Sequence, residues 1–239
     1  MIDLHSHIIY GVDDGSKTID ESLEMLKKAS DGGVTDIVLT PHYIKDSIYN
    51  ANNKDKAKKI KELVNELKRN KIDINIYLGN EIYIDEEIIE LLKNDEVCTI
   101  NDSKYLLMEL PFNHKSFILE EVLYRLKEKG LVPIIAHPER YMVYYNDFEF
   151  FENLLEKGCL FQANIGSLYG YYGSKSKKML IKMLKYDIIH FLGSDIHHSS
   201  DKIYEKNVEK DLLKIIKDKE KVFEILKGNA LKVLNEEII

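Results

Sequence analysis

Apolar residues along this chain recur in short β-branched runs, each followed by a longer charged stretch with helical spacing. The runs Ile2–His7, Asp36–Thr40, Ile74–Gly79, Tyr105–Glu109, Val132–His137, Leu160–Asn164 and Ile188–Ser194 read as strands. Helices are predicted near Asp20–Ser30, Lys54–Arg69, Asp85–Lys93, Ser116–Lys129, Asp147–Lys157 and Ser174–Tyr186. Near-continuous apolar strands alternating with amphipathic helices indicate a parallel sheet covered by helices. Gly33, Gly130 and Gly158 fall just past helix ends, as C-terminal caps should. Beyond the seventh strand the pattern stays helical from about Asp201 to Asn235. No linker, repeat or low-complexity segment interrupts it, so one domain over residues 1–239 is expected. Its C-terminal helices, from about residue 201, should pack on the barrel. Seven β/α units suit a closed or nearly closed α/β barrel; a doubly wound open sheet is the competing arrangement.

Polar residues change the picture because of where they fall. His5 and His7 end the first predicted strand, His42 follows the second, Glu81 follows the third and Glu109 closes the fourth. His137 ends the fifth, and Asp195 and His197 follow the seventh. In a parallel β/α fold all strand C-terminal ends lie on one face, so these groups should converge at one mouth. Side chains two apart on an extended segment point the same way, so His5 and His7 can reach one ion. Mixed imidazole and carboxylate ligation without thiolates suits Mn, Fe, Zn or Mg. Two such ions about 3.5–4 Å apart can clamp phosphate oxygens and activate a hydroxide. His190 reads as a core or wall residue, and His114 and His198 stand outside the pattern.

Composition narrows the function classes. A formal net charge of −7 argues against nucleic acid as the main partner, because backbone binding needs clustered Lys and Arg. Cys98 and Cys159 are the only cysteines, without zinc-type spacing and without a Cys-x5-Arg loop. That usage suits the cytoplasm and leaves a cysteinyl-phosphate mechanism unsupported. Met1–His5 carries no basic region followed by an apolar run, so neither a signal peptide nor membrane insertion is expected.

Several segments then match a known pattern: His5-Ser6-His7, Gly11-Val12-Asp13-Asp14-Gly15, Thr40-Pro41-His42, Gly79-Asn80-Glu81-Ile82, His137-Pro138-Glu139-Arg140-Tyr141 and Ser194-Asp195-Ile196-His197. They resemble the PHP (polymerase and histidinol phosphatase) superfamily. Within it, they are similar to the bacterial tyrosine-protein phosphatases of capsular and exopolysaccharide operons. The resemblance runs to the closing Asn229–Asn235 and implies a distorted (β/α)7 barrel with three divalent metal ions, often manganese.

By position, the resemblance gives His5, His7, Glu81 and Asp195 to one ion. Glu81 would bridge to a second, completed by Glu109 and His137. Asp14, His42 and His197 would hold the third. Arg140 matches a phosphate-binding, catalytic arginine, whose planar fork suits phosphate oxygens. Where the family typically has a second arginine this chain has Lys202. The implied reaction is hydrolysis of protein phosphotyrosine by a metal-activated hydroxide. The implied partner is a bacterial tyrosine kinase with a Tyr-rich tail that controls polysaccharide export. Histidinol phosphatase, or another small-molecule phosphoesterase of the superfamily, is the alternative. The stretches Tyr141–Tyr145 and Tyr169–Tyr172 are candidates for the substrate mouth or for the interface of a homo-oligomer.

Overall fold

The computed structural model describes residues 1–239. Its strands all pair in parallel and follow one another in chain order. One sheet holds β1 (Ile2–Asp3), β2 (Asp36–Leu39) and β4 (Asn75–Leu78); the other holds β3 (His42–Tyr43), β5 (Glu81–Tyr83), β6 (Tyr105–Glu109), β7 (Val132–Ala136), β8 (Leu160–Asn164) and β9 (Phe191–Gly193). The sequence pattern predicts β2 and β4 as single runs. Each in fact breaks and resumes, at Thr40–Pro41 before β3 and at Gly79–Asn80 before β5. Pro41 has no N–H to give a ladder. Pairing is carried past the breaks by Thr40 N–H to Ser6 O, Gly79 N–H to Leu39 O and Glu81 N–H to Pro41 O. The first strand also returns to the last: Ser6 bridges Ile196 in parallel, and Asp195 N–H bonds His5 O at 2.9 Å.

Period-two alternation sorts the strand residues into two cores. Ile37, Leu39, Leu106, Met108, Ile135, Phe161 and Leu192 face outward into the layer beneath the helices. Those helices are α1 (Ile19–Asp31), α2 (Asn53–Asn70), α3 (Ile88–Lys93), α4 (Leu119–Glu128), α5 (Glu149–Glu156), α6 (Ile165–Tyr169) and α7 (Gly173–Lys185). Ile2, Leu4, Val38, Tyr105, Leu107, Ile134, Leu160 and Phe191 form a separate inner cluster. Continuing along those inward faces toward the strand C-terminal ends, side chains turn polar: Glu109 on β6, Gln162 and Asn164 on β8, and Asp195 just past β9. Apolar packing thus fills one end of the strand array and leaves the other for chemistry.

The chain ends in α8 (Val208–Ile216), α9 (Lys219–Phe223), one π-helical turn at Glu224–Gly228 and α10 (Asn229–Leu234). Helix begins at Val208 rather than near Asp201, because Asn207 caps it by accepting from Lys210 N–H. Ala230, Val233 and Leu234 of α10 join the inner cluster, so the last helix enters the strand array instead of lying only on its outside. No helix is long and apolar enough to cross a membrane.

Candidate metal centre

The strand C-terminal ends bring the predicted ligands together. His42 and Glu81 are register partners across β3 and β5, which sets their side chains side by side. Gly15 lets the Asp13–Asp14 turn close over the first strand; a Cβ there would lie 2.1 Å from His7 O. His137 and Asp195 both have left-handed backbone, at φ 33° and 52°. Such conformations in non-glycine residues cost on the order of 1–3 kcal/mol each and persist where surrounding structure imposes them.

Four side chains enclose a point between them. His5 Nε2 and His7 Nε2 are 3.1 Å apart. Each lies 3.1 or 3.3 Å from Glu81 Oε2 and 3.4 or 3.3 Å from Asp195 Oδ1. Ligand atoms on a tetrahedral ion with bonds of about 2.1 Å sit about 3.4 Å apart, so these residues fit a cation. Two further groups overlap the first: His7 with Asp14, His42 and His197, and His42 with Glu81 and Glu109. His137 lies outside these groups but next to them, its Nε2 2.8 Å from Glu81 Oε1 and 3.6 Å from Glu109 Oε1. The buried atoms Glu81 Oε2, His42 Nδ1 and Asp14 Oδ1 have no hydrogen-bond partner, although buried polar atoms ordinarily do. Atoms left free and aimed at one another are what a ligand shell requires.

Other residues set the imidazole tautomers. His5 Nδ1 donates to Gln162 Oε1 at 2.6 Å, His7 Nδ1 to Asp13 Oδ2 at 2.8 Å, and His197 Nδ1 to Asp195 O at 2.9 Å. With Nδ1 holding the proton, each ring turns the lone pair of Nε2 toward the site. Asn164 Nδ2 donates to Asp195 Oδ2 at 2.5 Å, and Glu139 accepts from Asn164 N–H and Ser167 Oγ. Asp13, Gln162, Asn164 and Glu139 were not among the predicted site residues. Gln162 and Asn164 did carry a signal, being two polar positions on the same face of an otherwise apolar strand.

Electrostatics follow from burying opposite charges together. Burial opposes charge on His5, yet Glu81 and Asp195 overcome it and raise its pKa. Burial likewise works against the Glu81 and Asp195 carboxylates, but the surrounding histidines hold both well below the usual range. Glu109 is displaced upward by burial, reinforced by the charges on Glu81 and Asp195. His137 is pushed down to about 4, chiefly by burial.

Arg140 stands at the edge of this centre. Its Nη1 donates to Asp195 Oδ2 at 2.9 Å, and its guanidinium lies 4.1 Å from the Tyr172 ring centroid and 5.0 Å from that of Phe112. Lys202 is exposed and makes no hydrogen bond or ion pair. His190 is a wall residue outside the mouth, accepting from Phe161 N–H through Nδ1. His114 and His198 are exposed.

Comparison with known proteins places this chain in a family. The model for capsular polysaccharide synthesis proteins of the CpsB/CapC type matches residues 1–235. CapC of Staphylococcus aureus is 40% identical over 201 residues, covering 82% of this chain and 77% of CapC. CpsB of Streptococcus pneumoniae, a tyrosine-protein phosphatase, is 30% identical over the full length of both chains. A chain from the crystal structures of YwqE from Bacillus subtilis and CpsB from Streptococcus pneumoniae, metal-dependent tyrosine phosphatases, superposes with a TM-score of 0.93. It is 30% identical, and the match covers 100% of this chain and 96% of that one. A chain matched over residues 1–235 by the family's model, and over its full length by CpsB of Streptococcus pneumoniae, is a member of the CpsB/CapC family.

Proposed function

We propose that this chain is one metallophosphatase domain that hydrolyses phosphotyrosine on proteins. The observation that carries the reading is the convergence of imidazoles and carboxylates on one mouth, with a guanidinium at its edge. His5, His7, Glu81 and Asp195 would hold one ion, Glu81, Glu109 and His137 a second, and Asp14, His42 and His197 a third, with manganese the preferred metal. His7 and His42 stand close enough to more than one group for this division to be shared between neighbours. When bound, divalent ions supply positive charge for phosphate oxygens and lower the pKa of a coordinated water.

The chain's own residues supply the rest. Arg140 presents N–H donors to the equatorial phosphate oxygens, where charge gathers during phosphoryl transfer. Asp195 divides its work, with Oδ1 toward His5 and His7 and Oδ2 toward Arg140 and Asn164. That arrangement ties the arginine's position to the ligand shell. Lys202, at the position of the family's second arginine, would supply a second, weaker cation for phosphate. No cysteine serves as nucleophile: Cys98 and Cys159 are buried, and burial pushes their thiols up to about 11 and about 12. That the relatives are tyrosine-protein phosphatases supports a phosphotyrosyl protein as partner, and we infer a bacterial tyrosine kinase with a Tyr-rich tail as that protein.

Side-by-side kinetics test the reading. With manganese added, kcat/KM for a phosphotyrosyl peptide should exceed that for histidinol phosphate by at least about tenfold, about 1.4 kcal/mol of discrimination. A preference for histidinol phosphate would assign the site to small-molecule chemistry instead.

A further inference from the structure

Beside the candidate ligand cluster lies an open cleft of about 370 Å³, with Arg140 in its lining. Arg140 belongs to both places, donating to Asp195 on one side and lining the cleft on the other. Phe112 packs almost parallel to the imidazole of His137, with centroids 5.4 Å apart at 14°, and its ring also walls the cleft. Tyr172 lies against the guanidinium at 4.1 Å, its hydroxyl 3.5 Å from Asp195 Oδ2. The outer wall is Tyr145, held by a 2.9 Å hydrogen bond to Ser176 Oγ, and Met142, which is 57% exposed. An exposed methionine beside three aromatic rings, next to a site for a charged group, is an unusual use of surface.

We propose that this cleft binds the aryl ring of the substrate, and that Met142 and Tyr145 determine selectivity for aryl over alkyl phosphate esters. The inference rests on the phosphomonoesterase reading above. The cleft has ample room, since a cavity of roughly 150 Å³ already accepts benzene. Its walls offer what a planar ring prefers: aromatic side chains for offset or edge-on packing and a polarisable thioether. An alkyl ester reaching the same phosphate position would touch few of these groups.

The test is direct binding, which separates recognition from leaving-group reactivity. Phenylphosphonate and methylphosphonate carry the same head group and can be titrated calorimetrically into manganese-loaded protein. Wild type should bind phenylphosphonate about tenfold or more tightly than methylphosphonate. In Met142→Ala/Tyr145→Ala that ratio should fall to about threefold or less, with the methylphosphonate Kd unchanged. Met142→Ala alone, at an exposed position that threatens no packing, should lower the ratio part of the way. Equal binding of the two phosphonates by wild type, or a ratio unaltered in both variants, overturns the aryl cleft while leaving the phosphatase reading intact. Tighter binding of glucose 1-phosphate than of phenylphosphonate overturns it in favour of a sugar. Failure of methylphosphonate to bind, together with no turnover of any phosphomonoester, removes the phosphatase reading and the cleft with it.

Discussion

Asp13 Oδ2 accepts a hydrogen bond from His7 Nδ1 at 2.8 Å, and the same oxygen accepts the backbone N–H of His42 at 3.0 Å. One carboxylate thereby orients an imidazole on the first strand and anchors the start of β3, where the next ligand stands. Its other oxygen accepts Gly15 N–H at 2.9 Å, so both ends of the group face donors. Asp13→Asn must turn an NH2 toward one of those donors. Manganese affinity should fall by about 10–100-fold, as for other residues that orient metal-bound histidines. Titration of metal-stripped protein checks this, and an unchanged Kd would remove Asp13 from the account.

Glu81 sits at the centre of the cluster, with Oε2 facing His5, His7 and His42 and Oε1 facing His137. Glu81→Gln keeps the size but removes the charge and makes one end a donor, which no cation accepts. Metal content after dialysis should drop together with activity. His114→Ala is the matched control, because His114 is exposed on a loop outside the cluster and its loss should leave stoichiometry intact. Wild-type metal content in Glu81→Gln would contradict a bridging role.

Eight of the nine candidate ligands were legible in the sequence because strand C-terminal ends share a face, so His and acids at those positions had to meet; Asp14, in a turn, came only from the family resemblance. The helices were legible from spacing and caps. What escaped depends on approaches between distant segments. Asp13 looks like an ordinary turn aspartate until Gly15 closes that turn over His7. The short strands that resume at His42 and Glu81 were hidden because Thr40-Pro41 and Gly79-Asn80 end the apolar runs, and pairing is carried past them only by contacts with neighbouring strands. The entry of α10 into the inner cluster leaves no mark on a pattern that any amphipathic helix would share. Lys202 was placed by analogy alone, and nothing in its surroundings marks it out.

The two cations should therefore differ in weight. Arg140→Ala removes a fork held against Asp195, Phe112 and Tyr172, and should lower kcat/KM for a phosphotyrosyl peptide by about one to three orders of magnitude. Lys202→Ala, at an exposed position without partners, should cost less. An equal loss in both variants would show that Lys202 clamps phosphate as firmly as Arg140.

Lys56 of α2 is fully buried, and its ammonium donates to Asn80 Oδ1, which also accepts Cys98 N–H. Burial pushes its pKa down to about 8 from 10.5. A lysine whose folded pKa is depressed binds fewer protons in the folded state between those values, so its cost to stability is complete below about pH 8 and fades toward pH 10.5. That cost is at most about 3 kcal/mol. Lys56→Met keeps the volume, and Cys98 N–H still serves Asn80. The variant should be about 1–3 kcal/mol more stable than wild type at pH 7, with the gap narrowing by pH 10. Denaturant midpoints at the two pH values decide it; a gap independent of pH would contradict the buried-charge explanation.

Phosphotyrosine hydrolysis should run at the strand-end cluster and depend on metal held there. The most direct measurement is phosphate release from a phosphotyrosyl peptide by chelator-stripped protein, before and after manganese is restored, in wild type and in Cys98→Ser/Cys159→Ser. Stripped protein should show no turnover, and manganese should restore it in both forms. Full activity in stripped protein, or activity abolished by the cysteine substitutions with manganese present, would contradict metal-dependent hydrolysis at this cluster.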